Sequence, residues 1–290
     1  MLNMVEHKQS KLNCLQTILP EGLLASTSWL EKRGYSRSLL AAYAARGWLE
    51  SPARGVYRRP GPPLKWQHVA AALLDAMAQP PHVGGLSALE VLGKSHFVPL
   101  GKGRPVYLYG RQRLPGWVAK LALANPLRFK RDSLFNRAYA AGAATESQAR
   151  EVEGFDLRPH ATTVEPGVER MRWGEWDREY LIATPERAML ELLDDAPARL
   201  SLEHADDLMA GMSDFSSRRV VALLAACRSV KVKRLFLALA ARHAHQWVAP
   251  VVEAADRGDV NLGKGKRSLV RGGKLHPKYL ITLPEPSPVR

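Results

Sequence analysis

The sequence predicts an α+β protein, with an N-terminal winged helix-turn-helix followed by a larger mixed α/β C-terminal domain. Three observations support this prediction: two short helix patterns joined by a tight turn, a basic hairpin pattern directly after them, and strand and helix patterns further along the chain. A length of 290 residues fits two domains better than one. Pro60-Gly61-Pro62-Pro63 interrupts every periodic pattern, because proline lacks an amide donor and restricts the residue before it. We therefore predict a winged helix over residues 1–62 and an α/β domain over residues 63–290.

The first domain begins with two predicted helices. The first spans residues 11–19 and ends before a proline. Residues 26–28 all have side chains suited to an N-cap, and Ser28 with Glu31 fits a capping box at the start of the second helix. Gly34 is a plausible end of that helix, since glycine readily adopts the left-handed conformation found there. Both helices are short, as in a helix-turn-helix.

A third helix is predicted from Arg37 to Arg46, with Ser36 as its N-cap. Leu40, Tyr43 and Ala44 follow the i, i+3, i+4 spacing of a buried helix face. The outward face carries small or basic residues: Arg37, Ser38, Ala41, Ala45 and Arg46. Small side chains let a helix enter a DNA major groove, which is about 12 Å wide, while arginine and serine donate to bases and phosphates. We predict that this helix reads DNA; the alternative is an ordinary surface helix with incidental arginines.

A wing is predicted directly after this helix. Residues 48–50 and 55–59 form its two strands and residues 51–54 its turn. Three arginines of this hairpin are predicted to clamp the flanking DNA backbone or minor groove: Arg54, Arg58 and Arg59.

The second domain mixes helix and strand patterns. Apolar periodicity and caps predict helices over residues 66–77, 186–194, 200–212, 216–227 and 230–245. A further helix is predicted to open at His82. Strands are predicted over residues 104–109, 161–164, 179–183 and 275–283, with a loop over 263–269.

The chain is strongly basic. It contains 42 Lys and Arg against 28 Asp and Glu, a net charge of +14 and a pI near 10.0. The excess is concentrated in residues 1–65 with 10 basic and 4 acidic residues, in 100–137 with 9 and 1, and in 257–290 with 8 and 2. This charge predicts a polyanionic partner. Hydrophobic residues at 46% and charged residues at 24% exclude wholesale disorder.

Cysteine content and hydropathy restrict the compartment. Cys14 and Cys227 are too few for a disulfide framework or a four-thiolate zinc site. The N-terminal segment MLNMVEHKQSKLN lacks the apolar stretch of a signal peptide, and no window reaches the roughly 18 apolar residues that a membrane span needs. We predict a reduced, cytoplasmic protein without a membrane segment.

Four segments carry a family resemblance. They are RGYSRSLLAAYAARGWLESPARGVYRR, HVGGLSALEVLG, YLIATPERAMLELLDD and VNLGKGKRSLVRGGKLHPKYLITLP. In this order they resemble the AbiEi-type antitoxins of type IV toxin–antitoxin systems, a family of winged-helix transcriptional repressors. No single segment is diagnostic, but together they span nearly the whole chain.

The resemblance implies two activities. The N-terminal domain would bind inverted repeats in the DNA of its own operon, and the C-terminal α/β domain would neutralise a nucleotidyltransferase-like toxin without needing a stable complex with it. It also implies DNA contacts by residues on the recognition helix, Ser36, Arg37, Ser38 and Arg46, and by residues on the wing, Arg54, Tyr57, Arg58 and Arg59. It assigns no individual roles in the second domain.

An enzyme is one alternative, and its usual motifs are incomplete. Residues 263–267 (GKGKR) lack the spacing and the strand-to-helix setting of a phosphate loop. His243 and His245 are two residues apart, so on a helix they would point to different faces. In nucleotidyltransferases a Gly-Ser turn is followed by an Asp-x-Asp motif that binds metal. Gly211-Met212-Ser213-Asp214 contains the glycine and the serine, but no Asp-x-Asp follows it. We predict no catalytic residue, no metal site and no cofactor.

An RNA-binding protein is the other alternative. The segment from Pro126 to Arg131 interleaves Phe129 with three basic residues, a pattern that can stack on bases and bind phosphates. The segment is short, and a solvated basic stretch beside a core phenylalanine has the same pattern. A solitary winged-helix regulator without a toxin partner also remains open.

Overall fold

The computed structural model describes residues 11–95, 103–136, 165–174, 178–270 and 272–284. The first six elements are α1 Lys11–Ile18, β1 Ala25–Ser26, α2 Thr27–Glu31, α3 Arg37–Ala45, β2 Glu50–Ala53 and β3 Val56–Arg58. The three strands form an antiparallel sheet in the order β1-β3-β2. A helix, a strand, two helices and a hairpin are the elements expected of a winged helix-turn-helix.

The start of α2 differs from the predicted capping box. Ser26 is the N-cap, and its hydroxyl accepts the N–H of Trp29 at 3.2 Å. Ser26 pairs with Val56 in the sheet, so the backbone is extended up to this residue and becomes helical directly after it. The box between Ser28 and Glu31 is therefore wrong, and Glu31 contacts α3 instead.

The wing hairpin also begins later than predicted. Strand β2 starts at Glu50 instead of Trp48 and continues through Pro52, a residue expected in the turn. Proline is tolerated there because β2 is an edge strand, whose pairing with β3 is irregular. The turn lies at Arg54 and Gly55, and Gly55 has a φ of 81°, which glycine adopts without strain.

A mixed five-stranded sheet forms the second part of the molecule. Its strands are β4 His82–Val83, β5 Val106–Gly110, β6 Leu127–Arg131, β7 Val168–Trp173 and β8 Arg178–Ala183. Their order is β6-β5-β4-β8-β7, with β4 parallel to β8, β5 parallel to β6, and the other pairs antiparallel.

The other elements of this part are mostly helices. They are α4 Trp66–Ala76, α5 Gly85–Val91, a 3₁₀ turn Val118–Lys120, α6 Pro185–Asp194, α7 Leu202–Ala210, α8 Ser217–Ala226, α9 Val230–Ala240 and α10 Val248–Arg257. A short hairpin, β9 Lys274–Leu275 with β10 Thr282–Leu283, follows them. The predicted α+β class is confirmed.

Several predicted elements of this part need correction. His82 does not open a helix: it lies in β4, a two-residue strand that is too short for a periodic pattern, and the helix starts at Gly85. The elements β6, β7 and α10 are missing from the sequence prediction, α9 ends five residues before His245, and the strand predicted over 275–283 is a hairpin. The strand predicted over 161–164 lies outside the described residues.

One continuous core serves both predicted domains. Its buried apolar side chains run from Leu15 in α1 to Leu283 in β10. Across the predicted boundary, Gly22 lies against the His68 ring of α4, where a Cβ on the glycine would be 3.1 Å from Cδ2 of the histidine. The boundary at residue 62 stays a prediction.

Arg187 of α6 lies at the centre of a buried charged network. Its Nε donates to Glu191 at 2.8 Å, and its Nη2 donates to Asp132 at 2.5 Å and to Glu165 at 2.9 Å. Nη1 donates to the carbonyl of Pro166 at 2.9 Å. The guanidinium thus has three carboxylate partners, as a buried cation requires.

The network extends to β4 and α5 through Glu191. His82 Nε2 lies 2.7 Å from Glu191 Oε1, and the N–H of Gly85 donates to Oε2 at 3.0 Å. A Cβ on Gly84 would lie 2.2 Å from the same carboxylate, so only glycine fits this position. Two of the segments that carry the resemblance, HVGGLSALEVLG and YLIATPERAMLELLDD, therefore meet in this network.

Acid titration of Glu165 is expected to destabilise the fold. Burial alone would raise the pKa of Glu165, but Arg187 and Arg111 outweigh burial and lower the pKa from 4.5 to about 2. A carboxyl whose pKa is lower in the folded state stabilises the fold above its unfolded pKa, and this contribution is lost as the pH falls. Between about pH 4.5 and 2, the free energy of unfolding should fall more steeply for the wild type than for Glu165→Gln. Urea denaturation across this range measures both slopes, and parallel curves would contradict the prediction.

Candidate DNA-binding surface

Helix α3 presents the two faces that its sequence predicts. The hydroxyl of Ser36 accepts the N–H of Leu39 at 3.3 Å and caps the helix. Leu40 and Tyr43 are buried, and Ala44 is half-buried. The residues predicted to face outward are all exposed: Arg37, Ser38, Ala41, Ala45 and Arg46.

Tyr35 attaches the turn between α2 and α3 to helix α1. This side chain is buried, and its hydroxyl donates to the carbonyl of Lys11 in α1 at 2.9 Å. Burial raises the pKa of Tyr35 to about 12. Gly34, with a φ of 83°, allows the chain to reverse just before it. Helix α3 is therefore held in one direction relative to α1.

Arg37 opens the exposed face of α3. Its side chain is 79% exposed, and its Nε donates to Oε1 of Glu31 at 2.7 Å. This hydrogen bond raises the pKa of Arg37. The spacing of Ser28 and Glu31 predicts a capping box in α2 and gives no sign that Glu31 is a partner of α3.

Arg46 lies at the other end of α3, beside an exposed aromatic ring. Its guanidinium carbon is 5.3 Å from the ring centroid of Trp48, which in turn packs against Tyr43 at 5.3 Å. Trp48 is 41% exposed, and among the described residues it is the one large hydrophobic side chain on the surface. The sequence pattern predicts Trp48 in a strand; its position just after Gly47, the glycine that ends the helix, is the signal that separates it from the hairpin.

The arginines predicted to contact DNA from the wing differ in their exposure. Arg54 is exposed at the turn, and Tyr57 and Arg59 are half-buried. Arg58 is only 8% exposed: its Nε donates to Glu50 at 2.6 Å and its Nη1 donates to the carbonyl of Pro62 at 2.8 Å. Alternate residues of a strand face opposite sides, so Arg58 points inward with Val56. This placement does not fit the phosphate contact predicted for Arg58; the side chain joins β3 to β2 and to the following linker.

Of the eight residues predicted to contact DNA, five are therefore exposed, two are half-buried and one is buried. The exposed ones lie on α3, at its cap and at the tip of the wing: Ser36, Arg37, Ser38, Arg46 and Arg54.

Two family profiles match consecutive parts of the chain. Residues 8–100 match the N-terminal domain of the AbiEi antitoxin transcriptional regulators, and residues 104–284 match the transcriptional regulator described as AbiEi antitoxin, type IV TA system. The chain belongs to the AbiEi antitoxin family of transcriptional regulators. The family resemblance predicted from the four sequence segments is thus confirmed.

No curated protein matches this AbiEi-family chain. Among solved structures it is similar to the RV2827C protein from Mycobacterium tuberculosis, with 19% identity over 93% of this chain and 88% of that chain and a TM-score of 0.49.

In this AbiEi-family protein the basic loop at residues 263–267 is held by hydrogen bonds from a buried arginine. Arg234 is buried, and its guanidinium donates to the carbonyls of Leu262, Gly263 and Gly265 at 2.6–3.1 Å. Arg267 then forms an isolated β-bridge with Ile281, and residues 268–270 are not helical. A phosphate loop needs a following helix, and the geometry agrees with the sequence argument against one.

The remaining candidate sites have structural partners. The segment predicted as an RNA contact forms the edge strand β6. Its Phe129 ring packs on Gly110 of the neighbouring strand β5, because a Cβ on that glycine would lie 3.2 Å from the ring. His243 contacts Asp206 at 2.9 Å, and His245 contacts the carbonyl of Met209 at 3.1 Å. Over the described residues, no three His, Cys, Asp or Glu side chains are grouped to hold a metal ion, and no helix is long and apolar enough to cross a membrane.

Proposed function

We propose that this AbiEi-family protein binds inverted repeats in double-stranded DNA upstream of its own operon and represses transcription. The observation that carries this proposal is the exposed face of α3, where small side chains lie between Arg37 and Arg46 at the two ends of the helix. A face of this kind fits a major groove, because the small residues allow close approach and the arginines supply donors at both ends.

In this proposal the wing contacts the DNA backbone beside the groove. Arg54 at the exposed turn is the first candidate, and the half-buried Arg59 is the second. Both would neutralise phosphates and fix the register of the protein without reading bases. Repression follows because a protein bound at the promoter excludes RNA polymerase.

We further propose that the protein is the antitoxin of a type IV toxin–antitoxin system and counteracts a nucleotidyltransferase-like toxin. Membership of the AbiEi family supports this role, and the antitoxin profile covers residues 104–284, which contain the five-stranded sheet except β4. In this proposal the protein acts by regulation and neutralisation, with no catalysis of its own and no need for a stable complex with the toxin.

Fluorescence anisotropy with the full chain tests the DNA-binding proposal. One duplex contains the sequence directly upstream of the gene, and the control duplex has the same composition in scrambled order. We expect tighter binding to the upstream duplex and, for about 6 neutralised phosphates, a slope of log K against log salt near −5. Footprinting should show two protected half-sites in inverted orientation.

Equal affinity for the two duplexes at every salt concentration would refute specific repression and leave only electrostatic binding. The gene neighbourhood separates the antitoxin from a solitary regulator, since an adjacent nucleotidyltransferase-like gene is expected for the former alone. Growth rescue with that toxin expressed from an independent promoter then tests the antitoxin role directly.

A further inference from the structure

We propose that Glu31 is a positioning residue that presents Arg37 to a guanine in the major groove. This inference rests on the DNA-binding function proposed above and adds the base that Arg37 reads. Glu31 is the last residue of α2 and Arg37 is the first residue of α3, so their contact at 2.7 Å spans the turn of the helix-turn-helix. Both side chains are on the surface, with 36% and 79% exposure.

The contact uses Nε, an atom of the guanidinium that end-on recognition of a base does not need. Glu31 accepts a hydrogen bond from Nε of Arg37. The two Nη groups form the other end of the planar fork, and this end makes two parallel hydrogen bonds to O6 and N7 of guanine. A carboxylate on Nε therefore fixes the direction of the fork without occupying it.

Holding the arginine has two consequences for binding. Arg37 loses less conformational freedom when it meets a guanine, which favours the operator. The carboxylate also repels nearby phosphates and keeps Arg37 from swinging onto the backbone, which disfavours other sequences. The other acids in residues 11–59 lie elsewhere: Glu50 pairs with Arg58, and Glu21 lies beside Gly61.

Glu31→Gln should therefore shift the two kinds of DNA in opposite directions. We expect operator binding to weaken about 2- to 5-fold because the exposed pair is lost, and binding to the scrambled duplex to tighten by up to about 2-fold because one negative charge near the phosphates is removed. Glu31→Asp keeps the charge but withdraws it from Nε, so it should weaken operator binding without tightening scrambled binding. Glu253→Gln, at an exposed position on a different helix, α10, makes the same charge change and should alter neither affinity.

Replacing single guanines by 7-deazaguanine identifies the contacted base, because this analogue lacks the N7 acceptor. At one position of each half-site, the wild type should lose affinity while Arg37→Ala shows no further loss. Glu31→Gln should show a smaller loss than the wild type at that same position. In the Arg37→Ala background, Glu31→Gln should no longer weaken operator binding.

The outcomes distinguish this inference from the proposed function. If the wild type binds operator and scrambled duplexes equally, the proposed function fails and the positioning role fails with it. If the wild type discriminates but Glu31→Gln shifts both affinities in the same direction, the positioning role alone is overturned. The same conclusion follows if Glu31→Gln still weakens operator binding when Arg37 is absent.

Discussion

Substitution of Arg187 by methionine is expected to lower the free energy of unfolding by about 3–5 kcal/mol, because removing one partner of a buried charged network leaves the others uncompensated. Methionine keeps the unbranched apolar stem of the side chain but not the guanidinium that contacts Asp132, Glu165 and Glu191. Urea denaturation at neutral pH measures the loss.

Lys278→Met is the matched control for this change. Lys278 also pairs with an aspartate, Asp256, but its side chain is 44% exposed and water screens the pair. We expect the control to change the free energy of unfolding by no more than about 0.5 kcal/mol. Comparable losses in the two variants would show that the network around Arg187 has no special role in stability.

The double variant Arg37→Ala with Arg46→Ala is expected to lose operator recognition and to keep toxin protection. Each arginine that contacts a base should contribute about 1–3 kcal/mol of discrimination between operator and scrambled DNA. Both side chains are exposed on α3, so the fold should be unaffected. Protection against a toxin expressed from an independent promoter does not require repression, and growth should be rescued as by the wild type.

The wing supplies the control for this separation. Arg54→Ala with Arg59→Ala should weaken binding to every duplex alike and make the salt slope shallower by up to about 2, because phosphate contacts carry no sequence information. Folded helix variants that retain full discrimination would show that the DNA surface lies elsewhere. Loss of toxin protection in the helix variant would mean that neutralisation also depends on α3.

The parts of the N-terminal elements that local sequence controls are predicted well. Ser36 as a cap and the inward Leu40 and Tyr43 depend on residues three or four positions apart, and the structure agrees with each. The direction of Arg58 depends instead on which strand pairs with which, and the pattern of the hairpin alone could not supply this register. The contact between Glu31 and Arg37 was missed for a related reason, since two helices must first be oriented before it can form.

The charged network was beyond prediction because its members are far apart in sequence. His82 and Glu191 are 109 positions apart, and Arg187 and Asp132 are 55 apart. In the sequence each lies within an apolar or mixed segment that indicates only a secondary structure. The contact between His82 and Glu191 follows from the insertion of β4 between β5 and β8, and β4 is itself a strand that the sequence pattern misses.

The core shared by α1 through β10 affects how mutant alleles of this gene should be interpreted. A substitution that loosens packing around α6 lowers the folded population of the whole chain, including the distant α3. Such an allele would lose both proposed activities, repression and toxin protection, and would lose them more severely at high temperature. Alleles altered only on the exposed face of α3 would lose repression at every temperature, so a genetic screen can separate recognition from folding without any biochemistry.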